Sequence, residues 1–187
     1  RFGLKSGLLV WAMKPFLWGV ATSAHQIEGN NFHNDWWEWE QLGNIEGGVS
    51  SGISCDHWNR FREDLDLVKY LGLNSYRFSI EWSRIEPECG RWNLEALDWY
   101  SNLIAECEKR SLVPMVTLHH FTGPAWFARD GGFTAEKSSN WFAGFVKKVV
   151  DKFGARVPLW CTFNEPNTLV VGQFLASYMP PASYAPR

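Results

Sequence analysis

Short apolar runs alternate with segments whose apolar residues recur every three or four positions, and this alternation constrains the fold more than any other feature. The runs are residues 16–21 and the stretches LNSYRFSIEW, LVPMVTLHH and PLWCTF. A helical period between successive strand-like runs is typical of βα units, whose strands lie parallel in one sheet. The predicted order is strand, helix, strand, helix, strand, helix, strand, in the α/β class.

Three helices are predicted from the spacing of their apolar residues. The first covers residues 56–71 and ends at Gly72, which suits a left-handed C-cap. The second is capped by Asn93, and the third covers residues 138–153 and stops at Gly154. The apolar residues expected on the buried sides of the first two helices are Trp58, Phe61, Leu65, Val68, Leu71, Leu94, Leu97, Tyr100, Ile104 and Cys107.

Polar side chains gather where the predicted strands end. They are Gln26 soon after the first strand, Arg77 and Glu81 on the second, His119 and His120 on the third, and Asn164 and Glu165 after the fourth. Because the carboxyl ends of parallel strands meet at one edge of a sheet, we expect these side chains to share a functional site.

The composition excludes several classes of protein. The chain has 187 residues, 45% of them hydrophobic and 20% charged, with a formal net charge of -2. One compact domain is therefore expected, and neither nucleic acid nor an anionic membrane is expected as a partner. Aromatic residues make up 16% of the chain. Tryptophan and tyrosine suit the faces of sugar rings, although core packing explains any single one equally well.

The cysteines and the first residues bear on location. Cys55, Cys89, Cys107 and Cys161 lack C-x-x-C spacing and a histidine pattern, so they predict neither a zinc site nor disulfides. We expect free thiols in the cytoplasm, and no cofactor. The run GLLVWAM is a poor signal peptide and too short to span a bilayer. Met13 looks like a natural start, so residues 1–12 are interpreted as a non-native or upstream leader to a domain of residues 13–181.

Four stretches, in this order and spacing, resemble glycoside hydrolase family 1, the β-glucosidases and their relatives. They are FLWGVATSAHQIEG, DLDLVKYLGLNSYRFSIEWSRI, VTLHHF and TFNEPN, and the match extends from about Pro15 to about Pro181. Members of that family are retaining glycosidases built on a (β/α)8 barrel. The resemblance therefore implies a TIM-barrel fold and a β-glycoside or monosaccharide as the ligand.

The resemblance also implies roles for individual residues. Glu165 looks like the general acid/base, and Asn164 would hold the 2-hydroxyl of the sugar. Gln26 and His120 would hold other hydroxyls, and Arg77 would orient the nucleophilic carboxylate. Phe121 stands where many relatives carry tryptophan, which keeps an apolar wall and removes an N–H donor.

The chemistry of these residue types fits the implied reaction. A glycosidic oxygen leaves poorly without a proton, and a partly desolvated carboxyl can keep one near neutral pH. Hydrogen bonds to the 2-hydroxyl strengthen as the oxocarbenium-like transition state forms, which suits an amide next to the acid. The pair Asn164 and Glu165 supplies both groups.

Each motif alone has a structural alternative. The NEP sequence could start a helix with Asn164 as its cap, and His119 and His120 could be a polar strand end. Arg77 could pair with Glu81 on the same strand face, and Gln26 could cap a loop. The joint occurrence of all four motifs favours the sugar site.

The length of the chain departs from the family pattern. A complete barrel needs about 250 residues, so we expect four strands with flanking helices, the N-terminal half of a (β/α)8 barrel. No ENG motif, which carries the family's nucleophile, follows Glu165, and residues 182–187 are interpreted as an aberrant tail. We therefore expect a truncated β-glucosidase-like hydrolase with an acid/base but no identifiable nucleophile, of weak or no activity.

The open face of a half-barrel predicts an assembly. Bare sheet faces and unpaired strand edges favour association, so we expect a homo-oligomer that covers them. The alternative to a hydrolase is a noncatalytic half-barrel that binds sugars weakly or acts as a self-associating scaffold.

Overall fold

The computed structural model describes residues 15–180, which form a four-stranded parallel sheet with helices on its outer side. The strands lie side by side in chain order, β1-β2-β3-β4. They are β1 Gly19–Ala21, β2 Ser75–Ser79, β3 Val113–His119 and β4 Leu159–Phe163. The predicted parallel half-barrel is confirmed. The interpretations of residues 1–12 and 182–187 lie outside the described residues.

Three long helices connect the strands, and short helices occupy the loops at the carboxyl ends. They are α1 Ala24–Ile27, α2 Asp35–Gln41, α3 His57–Tyr70, α4 Trp82–Ile85, α5 Leu94–Lys109, α6 Ala125–Arg129, α7 Ser138–Phe153 and α8 Pro166–Val170. The predicted caps are confirmed, since the Asn93 side chain accepts a hydrogen bond from the Ala96 amide and Gly72 has φ of 76°. Over the described part of the chain, no helix combines the length and the apolar character that a membrane crossing requires.

The main core lies between the sheet and the three long helices. Tyr76, Phe78 and Val116 from the strands belong to one buried cluster with the apolar stripes of α3, α5 and α7. The prediction that Leu71 and Leu94 belong to the core is wrong, because they are 65% and 63% exposed. Both stand at a helix end, Leu71 just after α3 and Leu94 as the first residue of α5.

The first strand is shorter than the apolar run predicted. Phe16 and Trp18 are 70% and 64% exposed, and only Gly19–Ala21 pair with β2. The side chain of Asn74 replaces the ladder before that point, because its Oδ1 accepts from the Trp18 amide and its Nδ2 donates to the Phe16 carbonyl. The sequence could not predict where β1 begins, because a polar side chain that replaces backbone pairing does not interrupt the apolar run of the strand.

The second strand also ends earlier than predicted. The backbone after Ser79 turns into the short helix α4, and Glu81 occupies its N-cap with a side chain that accepts from the Ser83 amide. All four cysteines are free thiols, as the sequence predicts.

Candidate functional site

The end of β4 carries the two residues that the sequence places at the chemical centre. The backbone N–H of Asn164 donates to the backbone carbonyl of His119 at 2.9 Å, and Asn164 is buried. Glu165 is exposed and has φ of 44°, a left-handed conformation that few residues other than glycine adopt. Backbone strain of this kind is concentrated at functional sites.

The helix-start interpretation of the NEP sequence is correct in part. Helix α8 begins at Pro166, whose fixed φ suits a first helical turn. The N-cap position, however, is Glu165 rather than Asn164, and its side chain makes no capping bond. The carboxylate of Glu165 is therefore not used by the helix end.

Arg77 connects the second and fourth strands across β3. Its Nη2 donates to Oδ1 of Asn164 at 3.2 Å. Its Nε is buried and has no hydrogen-bond partner among residues 15–180. Those residues contain no ion pair between Arg77 and Glu81, so the structural alternative for Arg77 is wrong. A guanidinium donor next to Asn164 is thus left available for a further acceptor.

Glu81 has a structural environment. It is 1% exposed, its Oε1 accepts from the Ser83 hydroxyl at 2.7 Å, and its Oε2 accepts from the Thr122 hydroxyl at 2.8 Å. Both oxygens therefore accept a hydrogen bond, one from α4 and one from the loop after β3.

His120 lies within electrostatic reach of three charged side chains. Burial, with a further contribution from the positive charge of Arg77, lowers the pKa of His120 to about 4, against the opposing negative charges of Glu165 and Glu81. The imidazole is consequently neutral near pH 7, where it can both donate and accept a hydrogen bond. Its Nδ1 is buried without a partner among the described residues.

The neighbouring His119 is more deeply buried. It is 2% exposed among the rings of Phe133, Phe142 and Phe163. Burial lowers its pKa to about 3, and His120 contributes to the same effect. This histidine is therefore part of the packing behind the site.

Gln26, His120 and Phe121 line one cavity of about 470 Å³. The Gln26 side chain is exposed to it, and its Oε1 accepts from the Ser23 hydroxyl at 2.6 Å. Phe121 has φ of 68°, and its carbonyl accepts from Nε1 of Trp36 at 3.3 Å. Gln26 belongs to α1, and its side chain bonds the hydroxyl of Ser23, the N-cap residue of that helix.

The structure thus groups the predicted residues in two neighbouring sets. Gln26, His120 and Phe121 share the cavity wall, whereas Arg77 and Asn164 bond to each other. Glu165 does not line the cavity, but its charge acts on His120, as does that of Arg77. His120 therefore links the cavity to the end of β4.

Sequence reasoning missed much of the cavity lining. Trp36, His25 and Glu40 face it, together with residues from the segment 45–54. The stretch NDWWEWE is a visible concentration of aromatic and acidic residues, which was the available signal. Its periodicity gave no indication that the Glu40 side chain is only 6% exposed, because a glutamate side chain is rarely enclosed unless it is paired.

Comparisons with known proteins identify the family of the chain. Residues 11–187 match the sequence profile described as Glycosyl hydrolase family 1. The chain is 36% identical over 173 residues to "Beta-glucosidase A" of Thermotoga maritima, covering 88% of this chain and 39% of that protein. It is 38% identical over 158 residues to a "Beta-glucosidase" of Agrobacterium sp., covering 81% and 34%.

Solved structures give the same result. A "beta-glycosidase from Pyrococcus horikoshii" superposes with a TM-score of 0.83 at 46% identity, covering 89% of this chain and 38% of its own. The family 1 β-glucosidase from Thermotoga maritima superposes with a TM-score of 0.86 at 36% identity, covering 89% and 39%. The chain spans about two fifths of the length of the curated relatives that it matches first. By sequence profile, identity and fold, the chain belongs to glycosyl hydrolase family 1.

Proposed function

We propose that this chain supplies the acid/base side of a retaining β-glycosidase site that acts on terminal β-linked glucose or a related sugar. Glu165 protonates the glycosidic oxygen, and Asn164 holds the 2-hydroxyl. Gln26 and His120 bind further hydroxyls of the same sugar, with Phe121 as an apolar wall. The supporting observation is that His120 shares a cavity with Gln26, and that the charges of Arg77 and Glu165 both act on the pKa of His120.

The proposal assigns Arg77 to the second carboxylate of the reaction. A retaining mechanism needs two carboxyl groups about 5 to 5.5 Å apart. The unpartnered, buried Nε of Arg77 suits a carboxylate acceptor. Glu81 does not fit this role, because Ser83 and Thr122 bind its two oxygens. The proposal takes the nucleophile to come from outside residues 15–180, on a continuation of the chain or on a second polypeptide.

Complementation tests this function. The 187-residue chain is mixed with a polypeptide that corresponds to the remaining barrel of the Thermotoga maritima enzyme, and aryl β-glucoside hydrolysis is followed. We expect hydrolysis in the mixture, and we expect E165Q to lower the rate by roughly 10²- to 10⁴-fold for a weakly acidic leaving phenol. The loss in kcat/KM should be much smaller for a dinitrophenyl glucoside, because that leaving group needs little protonation in the glycosylation step.

The control for Glu165 is Glu136, another exposed glutamate. E136Q should keep the wild-type rate with both substrates. An inactive mixture, or equal rates for E165Q and E136Q, would contradict the proposed role of Glu165. In that case the noncatalytic sugar-binding half-barrel becomes the better description.

We also propose that the isolated chain self-associates through its open sheet edges. β1 and β4 are the two edges of the sheet, and every residue of β1 is exposed. Pairing β4 of one copy with β1 of another would use these edges, as unpaired strands tend to do. Light scattering should give a molar mass of at least two chains, and V20K on the β1 edge should lower it. A stable monomer at micromolar concentration contradicts this assembly.

A further inference from the structure

A chain of hydrogen bonds joins α1, α2 and the segment 49–54 beside the cavity. The imidazole of His25 lies between Asn34, whose Nδ2 is 3.0 Å from Nδ1, and Glu40, whose Oε1 is 3.0 Å from Nε2. Because Oδ1 of Asn34 already accepts from the Trp37 amide, its Nδ2 faces the ring as a donor. Nδ1 of His25 must then accept, so Nε2 carries the proton and donates to Glu40.

Glu40 receives three donors in all. Besides His25, its Oε2 accepts from the Ser51 amide at 2.8 Å and from the Ser51 hydroxyl at 2.9 Å. Its side chain is 6% exposed. Burial acts to raise the pKa of Glu40, but the hydrogen bonds from Ser51 and His25 outweigh it and hold the pKa below its usual value. An ionised carboxylate that accepts three hydrogen bonds from two other parts of the chain is suited to hold those parts together.

The segment 49–54, which Glu40 holds through Ser51, also contacts Gln26. The Ser54 hydroxyl donates to the Gln26 carbonyl, and the Asn30 amide donates to the Gly52 carbonyl at 2.6 Å. Ser51 and Ser54 line the same cavity as Gln26. The bonds therefore form a closed circuit from α1 through Glu40 and the segment 49–54 back to α1.

We propose that Glu40 is a positioning residue for Gln26, which it acts on by holding the 49–54 wall through Ser51 and His25. The inference rests on the proposed sugar-binding role of Gln26. Its consequence is that the removal of the Glu40 charge loosens the 49–54 wall and thereby weakens sugar binding by Gln26.

The variant E40Q tests the proposal with little change in shape. An amide offers one acceptor oxygen in place of two, and its NH₂ group would meet an N–H donor. Loss of a hydrogen bond to a charged group predicts roughly ten- to hundredfold faster hydrogen exchange at the Ser51 amide. E46Q is the matched control, because Glu46 is an exposed glutamate in the same loop as Ser51. S51A removes only the hydroxyl bond and should give a smaller increase across 49–54.

Sugar binding is measured on these variants and on Q26A with methyl β-D-glucoside as the probe. It is followed by the backbone amide signals of the residues that line the cavity and, where Gln26 is kept, by its side-chain amide signals. We expect E40Q to shift those signals in the free protein and to weaken binding at least about fivefold, with Q26A also weakened and E46Q unchanged. Circular dichroism confirms that each variant is folded.

The two measurements separate the failures. Unchanged exchange at Ser51 in E40Q overturns the proposal, and so does faster exchange with wild-type sugar affinity. If the wild-type chain itself does not bind the glucoside, the proposed function fails instead. A failure of the proposed function can be distinguished from a failure of the present proposal, because hydrogen exchange of the 49–54 segment in E40Q still reports whether Glu40 holds that segment.

Discussion

The hydroxyl of Tyr100 is predicted to be a major source of stability beneath the site. Tyr100 is fully buried; its hydroxyl donates to Oε1 of Glu28 at 2.7 Å and accepts from the Glu81 amide at 2.9 Å. Glu28 belongs to the loop after β1, and Glu81 follows β2. The variant Y100F keeps the ring and removes both bonds.

The expected cost follows from the groups left without partners. A hydrogen bond to a charged group contributes about 1.5–3 kcal/mol, and a buried N–H without an acceptor costs about 1–3 kcal/mol. Allowing for overlap between the two terms, Y100F should lower the free energy of unfolding by roughly 3 kcal/mol.

The cost should depend on pH through Glu28. Burial raises the pKa of Glu28 to about 7, against the opposing effects of Arg84 and the Tyr100 hydroxyl. The hydroxyl stabilises the ionised carboxylate, which predominates above that pKa. Y100F should therefore be more destabilising at pH 8.5 than at pH 5.5.

Urea unfolding followed by tryptophan fluorescence, at one protein concentration, measures this effect. Y70F is the matched control, because Tyr70 is 88% exposed and should tolerate the change within about 0.5 kcal/mol. The m-value should stay constant. A loss below about 1 kcal/mol in Y100F, or a larger loss at pH 5.5 than at pH 8.5, would refute the reasoning.

Two further predictions concern stability. An unfolded chain protonates His119 near pH 6.5 but the folded one only near pH 3, so the stability present above pH 6.5 is lost as the pH falls. Acid titration of urea unfolding between pH 6 and 4 should thus show about 2 kcal/mol less loss in H119Q than in wild type, whereas H33Q at an exposed position should match wild type. At Gly29, with φ of 81°, an added Cβ would overlap the Ile53 carbonyl, whereas at Gly43, with φ of 78°, it would meet open space. Thermal unfolding should place the midpoint of G29A well below that of G43A, and equal midpoints would contradict the close approach of the two loops.

The fold was predictable because its signals are periodic. The apolar positions of α3 and α5 recur with the helical period over 14 and 16 residues, which is long enough to be distinctive. The short helices α1, α4 and α6 have four or five residues and carry no such period. Leu71 and Leu94 were assigned to the core wrongly, because helical periodicity does not indicate which residues at the end of a helix are exposed.

The candidate site was predictable where strand ends determine position. Arg77 and Asn164 lie far apart in sequence, but parallel strands bring β2 and the end of β4 to the same side of the sheet, where a long arginine side chain can reach across β3. The role of Glu40 could not be predicted, because it depends on how the loop 45–54 folds back onto α1. Such loop contacts have no periodic signature.

The most direct measurement of the central claim is a titration of ¹⁵N-labelled chain with methyl β-D-glucoside, followed by NMR. The side-chain amides of Gln26 and Asn164 belong to the two sets of residues that His120 links. The account predicts that both amides, and the indole N–H of Trp36, shift along one binding curve. Separate curves for Gln26 and Asn164, or no shift at either, would contradict a single sugar site at the carboxyl ends of these strands.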